Sequence, residues 1–335
     1  MFSWAKDLFP INRSLTGPGV RETLQYIKKL IPDLKINSIK SGTKCFDWQI
    51  PNEWFPKEAW VKSLKGDTII DFKNNNLHLM GYSKSVNKKV NLTELNKHLH
   101  SLPKQPNAIP YVTSYYKKQW GFCIKHKDRK KLKKTNYHVY IDSELKPGVL
   151  NYGEIILKGK SSKEILLSTY ICHPSLANNE ISGPVVTTSL AKWIKKFKNR
   201  KYTYRIVFIP ETIGSIAYIS KNLKKLKQNV IAGYNITCVG DNNTYSYLPS
   251  RNENTFADKV ALNILNSIDP NFKKYTWLDR GSDERQYCAP GVDLPVVTLC
   301  RSKFVEYPEY HTSLDNLDFI SAQGLQSSFE LFKKI

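Results

Sequence analysis

Four largely apolar runs, each followed by a helical stripe, constrain the fold of this chain more than any other feature. The first, Ile165–Ile171, precedes a stripe of Val185, Leu190, Trp193, Ile194 and Phe197. The second, Tyr204–Ile209, precedes a helical pattern around Ile216–Leu226. The third, Ile231–Val239, precedes another around Phe256–Leu265. The last, Pro295–Leu299, precedes a terminal helical pattern from Ile320 to Ile335. Largely apolar runs of this length mark strands buried on both faces. Their alternation with helices predicts an α/β fold, a largely parallel sheet with helices on both sides.

The earlier half is less regular. Thr16-Gly17-Pro18 opens a helical stripe of Val20, Leu24, Ile27 and Ile31 that Pro32 stops. A Trp-rich stretch follows, with short strands around Ala59–Val61 and Thr68–Asp71. Residues 66–155 hold five of the seven His and short alternating segments such as Tyr137–Ile141, which reads as β structure. The expected organisation is therefore 1–65 and 156–335 as one domain, with 66–155 as a β-rich insertion. A length of 335 residues suits two such units.

Composition removes several classes. Hydrophobic residues make up 41%, enough for a core and too many for a disordered chain. No apolar stretch is long enough for a membrane helix, and the first residues lack the apolar run of a secretory signal. Six widely spaced cysteines, none in CxxC, read as reduced core thiols of a cytoplasmic protein. The net charge of +22 is spread over short Lys clusters, a solubilising surface; no nucleic-acid motif accompanies it.

Ligands of open α/β sheets collect beyond the carboxyl ends of the strands. The residues following the runs are Cys172-His173-Pro174 through Asn179-Glu180, then Pro210-Glu211-Thr212, then Gly240-Asp241, then Tyr310-His311. Imidazoles and carboxylates on one rim suit a catalytic zinc, which commonly takes three such ligands and leaves one position open. His173, Glu180 and His311 are the expected ligands, and Glu211 the expected general base.

The segments CHPSLANNEISGP, PETIGSIAYIS, RGSDERQYCAPGVDLPV and EYHTSLDNL, with LFPINRSLTGPGVRETL near the start, resemble the aminopeptidase-like family associated with polysaccharide biosynthesis. That family is in turn similar to co-catalytic zinc aminopeptidases and glutaminyl cyclases. The resemblance implies a three-layer α/β/α zinc-peptidase-like sheet with a small inserted β-rich domain. It also implies a His, Asp, Glu, Asp, His metal set, from which this chain departs. Asn179 stands at the bridging Asp, Thr212 at the second Glu of the pair, and Thr237 at the later Asp. Thr hydroxyls are poor neutral ligands for zinc. One zinc rather than two is therefore expected, with Asp241 as a fourth ligand, an orienting group or a substrate contact.

The expected activity is hydrolysis of an amide bond, most simply as an aminopeptidase. The other readings are an amidase or deacylase of an amino-sugar conjugate, and a binding protein with a degraded metal site. Arg251 and Arg280 are candidates for gripping a substrate anion, Asp283 for a free amino group, and Tyr310 for the pocket wall. Asp47 and Trp48 are candidates to reach the site from the N-terminal segment.

Overall fold

The structure is a computed structural model describing residues 1–335. Four parallel strands form its centre: Thr203–Ile209, Glu164–Tyr170, Val230–Ile236 and Val296–Cys300, adjacent in that order. Each matches one of the apolar runs to within a few residues, and nearly every residue in them is buried. Antiparallel strands extend this centre on both sides. Val149–Leu157 pairs with Thr203–Ile209, and Lys35–Lys40 pairs with Val149–Leu157. Ser246–Leu248 flanks Val296–Cys300, and Lys273–Lys274 closes that edge. The eight-stranded sheet is thus mixed, parallel at its centre.

Helices cover one face. Phe2–Leu8, Pro18–Leu30, Ser182–Lys195, Phe256–Ile268 and Ala322–Lys334 bury a core against it that includes Leu24, Ile27, Val186, Leu190, Phe208 and Leu325. The other face carries helix Ile213–Asn229 and a second sheet in the order Thr68–Asp71, Glu53–Ser63, Asn136–Lys146, Val86–Asn91. Val61, Val139 and Ile141 of that second sheet share one core with Leu166, Val207, Ile216 and Ile219. The β-rich unit therefore has no separate interior; it packs on the sheet through a continuous apolar layer.

The second sheet begins at Glu53 and ends at Lys146, not at 66 and 155. Residue 66 lies in the turn joining its first two strands. Residue 155 lies inside the main-sheet strand Val149–Leu157. The physical reason is strand pairing. Ile155 is opposite Ile206, so the strand Val149–Leu157 completes the large sheet rather than the small one.

Helix Ser182–Lys195 starts hard against the sheet. A Cβ on Gly183 would stand 2.4 Å from the Ile236 carbonyl oxygen and 2.4 Å from Thr169 Oγ1. Only a residue without a side chain permits that approach. Gly183→Ala should destabilise the fold by about 1–3 kcal/mol, the usual cost of overpacking. The midpoint of urea unfolding measures it; an unchanged midpoint would show that this helix start is free to shift.

Candidate metal centre

The loops leaving the four central strands converge on one rim, and the backbone there is strained. Ser175, Thr212, Cys238 and His311 all have positive φ, between 46° and 62°. Such conformations are uncommon for non-glycine residues and concentrate at functional sites. Thr212, β-branched at φ 62°, is the most costly of them. Its N–H donates to Asp283 Oδ1 at 2.8 Å, which holds the turn that presents Glu211.

His173 follows strand Glu164–Tyr170 and is buried. Its two ring nitrogens face different partners. Nδ1 donates to Glu180 Oε2 at 2.9 Å, whereas Nε2 lies 3.7 Å from Glu211 Oε2. The His173 and His311 rings are 5.2 Å apart, and Tyr111 lies 5.0 Å from the first and 5.1 Å from the second. Tyr310 stacks on His311 at 3.9 Å. Backbone bonds fix the His311 loop: the Tyr111 N–H donates to the His311 carbonyl at 2.8 Å. Burial drives both imidazoles towards the neutral form, His173 to about 3 and His311 well below its ordinary value. Neutral imidazole is the form that ligates metal.

Glu211 caps the strand Thr203–Ile209. Ser282 Oγ donates to its Oε1 at 2.8 Å. Burial, then the neighbouring Asp283 charge, hold its carboxyl well above the usual carboxylate range. That is the tuning expected of a group that must take up a proton near neutral pH. Glu211 lines a cleft of about 400 Å³ with Trp48, Tyr115, Tyr116, Lys117 and Arg285.

Four acceptors on this rim have no partner, Glu180 Oε1 and Asp283 Oδ2 among them. His311 Nε2 is buried without a hydrogen bond, and so is Asn179 Oδ1. Asn179 Nδ2 donates to Tyr170 Oη at 2.6 Å, which leaves its oxygen free. Tyr170 in turn lies 5.4 Å from the His173 ring. Buried polar atoms left unpaired ask for an explanation, and an absent ion is one. His173 Nε2, which faces Glu211, and the unpartnered His311 Nε2 and Asn179 Oδ1 are donors of the kind that hold a divalent cation.

Glu180, expected as a ligand, lies on the opposite side of the His173 ring from Glu211. Its carboxylate meets the Nδ1 side of His173, away from Glu211, and its Oε1 lies 3.6 Å from the buried Arg13 guanidinium. Glu180 orients His173 as carboxylates behind metal-ligating histidines do. Cys172 Sγ, His173 and Glu180 also bring their ligand atoms within 4.8 Å of one another. A cation there would face Arg13, and Cys172 Sγ already accepts the Glu211 N–H at 3.2 Å. Burial raises the Glu180 carboxyl to about 8, opposed by Arg13.

The remaining expected residues divide. Asp241 is buried and fully employed: Asn178 Nδ2 donates to it at 2.9 Å, and the Ser302 N–H and Oγ each donate at 3.0 Å. Its oxygens tie two loops together, and it is not among the residues lining the cleft at Glu211. Asp283 is likewise buried, accepting from Thr212 N–H and from Ser215 Oγ, so it acts under Glu211 rather than on an amino group. Arg251 pairs with Asp293 at the surface. The Arg280 guanidinium lies 4.7 Å over Trp277 and donates to the Trp277 carbonyl. Neither arginine lines the cleft at Glu211. Tyr310 is at the site as expected, packed on His311. Trp48 lines the cleft, while Asp47 faces a neighbouring hollow with Phe46 and Ile216.

Five participants escaped sequence reasoning. Tyr111, Tyr115 and Lys117 come from the inserted unit, whose only signal is the cluster YVTSYYKK at 111–118. Arg13 gives no sequence signal. Asp315, buried and raised to about 7 by burial, anchors the π-type turn Ala177–Ile181 by accepting the Asn178 N–H at 2.6 Å and the Asn179 N–H at 3.0 Å.

Both threonines that replace acidic ligands are committed to the protein. Thr237 Oγ1 donates to Tyr170 and contacts the Asn179 carbonyl at 3.0 Å. Thr212 sits in its strained turn with Arg285 3.5 Å from its hydroxyl. No second acidic donor pair faces the histidines.

Comparison with known proteins bears on the family and the fold. A family profile described as a domain of unknown function, DUF4910, matches residues 2–335. A Clostridium acetobutylicum protein named "Putative polysaccharide biosynthesis protein with aminopeptidase-like domain" is 44% identical over the whole chain, which covers 76% of it. A crystal structure of a "putative peptidase" from the same organism superposes with TM-score 0.96 at 44% identity, covering 99% of this chain and 78% of that one. A zinc aminopeptidase from Bacillus subtilis superposes with TM-score 0.69 at 14% identity, covering 99% and 93%. That last likeness is one of fold. The chain belongs to the DUF4910 family, and its domain is aminopeptidase-like.

Proposed function

We propose that this protein is a zinc-dependent hydrolase of amide bonds that works with one metal ion. The observation carrying the proposal is Glu211: one carboxylate oxygen held by Ser282, the other 3.7 Å from His173 Nε2, beside the unpartnered Nε2 of His311. His173, His311 and Asn179 would hold the ion. Bound zinc supplies Lewis acidity, which polarises a carbonyl and acidifies water.

The chain's own groups do the rest. Glu180 fixes the His173 ring by accepting from Nδ1, which leaves the Nε2 lone pair facing Glu211. Glu211 Oε2 takes a proton from water and returns it to the departing nitrogen, while Ser282 steadies Oε1. Trp48, Tyr115 and Tyr116 wall the approach and limit water around the reacting group. A role in making or trimming surface polysaccharide rests on the relative's name alone.

Two measurements test the reading. Protein purified without chelator should hold close to one zinc per chain, and His311→Ala should lose most of it. Amide hydrolysis should vanish with a chelator and return with zinc. Loss of metal without loss of hydrolysis contradicts the proposal. Tight metal binding with no hydrolysis across aminoacyl-arylamides and N-acyl amino sugars favours a binding protein instead, the reading that the neutral Asn179, Thr212 and Thr237 support.

A further inference from the structure

We infer that the cleft beside Glu211 selects an anionic N-acyl amide, one bearing a phosphate or carboxylate, and rejects a free ammonium group; this deepens the hydrolase reading and rests on it. The argument begins with the charges on its walls. Lys117 and Arg285 line the cleft that contains Glu211, and Glu211 is its one carboxylate. The cleft adjoins a second hollow of about 520 Å³ through Tyr115, Tyr116 and Lys117; that hollow adds Lys84 and Lys118 and has no acidic residue. Four cations therefore face one carboxylate, and that carboxylate is the proposed base.

An enzyme that cuts at a free amino terminus needs an acceptor for the ammonium. The carboxylates next to Glu211 do not line the cleft, although Asp283 Oδ2 is unpartnered. Asp283 is sealed beneath the Thr212 turn. Glu284 is buried and accepts from the Gly281 N–H at 2.8 Å, the Ser282 N–H at 3.0 Å and Asn235 Nδ2 at 3.1 Å. An ammonium entering the cleft would meet Lys117 and Arg285, and like charges at close range disfavour it. An anion meets them favourably, and Arg offers a bidentate grip on phosphate or carboxylate.

The walls also fit a ring. Trp48 and Tyr116 are exposed, with ring centroids 6.1 Å apart and planes tilted 49°. Tyr116 Oη donates to the Gln49 carbonyl at 2.6 Å, so the inserted loop and the N-terminal hairpin form one rim. Two flat apolar surfaces with basic neighbours suit a sugar or other cyclic body with an acidic substituent. Lone exposed aromatics are ordinary; a pair fixed across the mouth of a reactive cleft is not.

The test is calorimetric titration of the whole protein without added metal, so that it does not depend on turnover. The probes are N-acetylglucosamine 1-phosphate, N-acetylneuraminate, neutral N-acetylglucosamine and leucinamide. At least one of the two acids should bind about tenfold tighter than the neutral sugar, a difference of about 1.4 kcal/mol, and leucinamide should bind weakest. The phosphate and carboxylate arms identify which anion is preferred. Lys117→Gln with Arg285→Gln should remove most of the preference, read as the ratio of acid to neutral-sugar affinity within the same variant; both side chains are exposed, so folding is not at stake. The inference is overturned if acids and neutral sugar bind alike, if neither acid binds at about 10 mM, if leucinamide binds tightest, or if the double variant keeps the preference. An anion preference without hydrolysis of any amide would sink the hydrolase reading and leave this one standing. Hydrolysis of aminoacyl amides with no anion preference would do the reverse.

Discussion

Glu211→Gln should reduce amide turnover by at least about a hundredfold while leaving zinc content and fold unchanged. General acid–base catalysis by one positioned group typically contributes 10²–10⁴-fold. The substitution is nearly isosteric. The amide oxygen can still accept from Ser282 Oγ, as the Glu211 carboxylate does at 2.8 Å. What it cannot do is take a proton from water. It also removes a carboxyl that burial and the Asp283 charge make costly to ionise. The variant should therefore be at least as stable as the parent, which separates loss of chemistry from loss of structure. Single-turnover assays with metal analysis on the same preparation decide the matter. A variant that keeps a tenth or more of the activity would transfer the base role elsewhere.

Arg13→Met should cost about 3–5 kcal/mol of stability, the usual penalty for breaking a buried charged pair from one side. The Arg13 side chain is 1% exposed. Its Nε donates to the His173 carbonyl at 2.9 Å and its Nη1 to the Leu8 carbonyl at 2.8 Å, so it joins the first helix to the metal rim. It is also the cation that opposes the rise of the Glu180 carboxyl. Without it the His173 and Leu8 carbonyls lose their donor, and above about pH 8, where Glu180 ionises, its charge has no partner beside neutral His173. Arg13→Met combined with Glu180→Gln should recover part of the loss above that pH, because the second change removes the uncompensated carboxyl. Guanidinium unfolding of the two variants and the parent measures both terms. A loss below about 1 kcal/mol for the single variant would show that Arg13 does not hold these groups.

The parts of this molecule visible in its sequence are those that rest on burial. The four central strands stand out because a strand covered on both faces is mostly apolar, and Ile206, Val207, Phe208 and Ile209 are all fully buried. The rim follows from topology, since parallel strands present their loops at one end. His173, Glu211 and His311 therefore come together as the sequence implies, across 138 positions (311 − 173) of chain.

Features set by direction rather than burial were not legible. Whether Glu180 meets Nδ1 or the metal side of His173 depends on the π-type turn Ala177–Ile181, which no pattern announces. Asp241 follows a strand end as a ligand would, yet Ser302 and Asn178 claim its oxygens. Arg251 finds Asp293 through a pairing 42 residues away. The inserted unit hid its contribution for a different reason. Tyr111 packs on both imidazoles because the bridge Pro110 to Thr312 carries the inserted loop back to the rim. Such a contact has no local sequence signature. The boundary near 155 failed on register, since a strand buried in the large sheet and one buried in the small sheet look alike until paired.

Anomalous diffraction at the zinc edge, on crystals of protein grown with zinc, tests the central claim most directly. The account predicts a single peak between His173 Nε2 and His311 Nε2, next to Glu211 and with no bond to Glu180. A peak held by Cys172 and Glu180, a pair of peaks bridged by Asn179, or no peak at these histidines would contradict it.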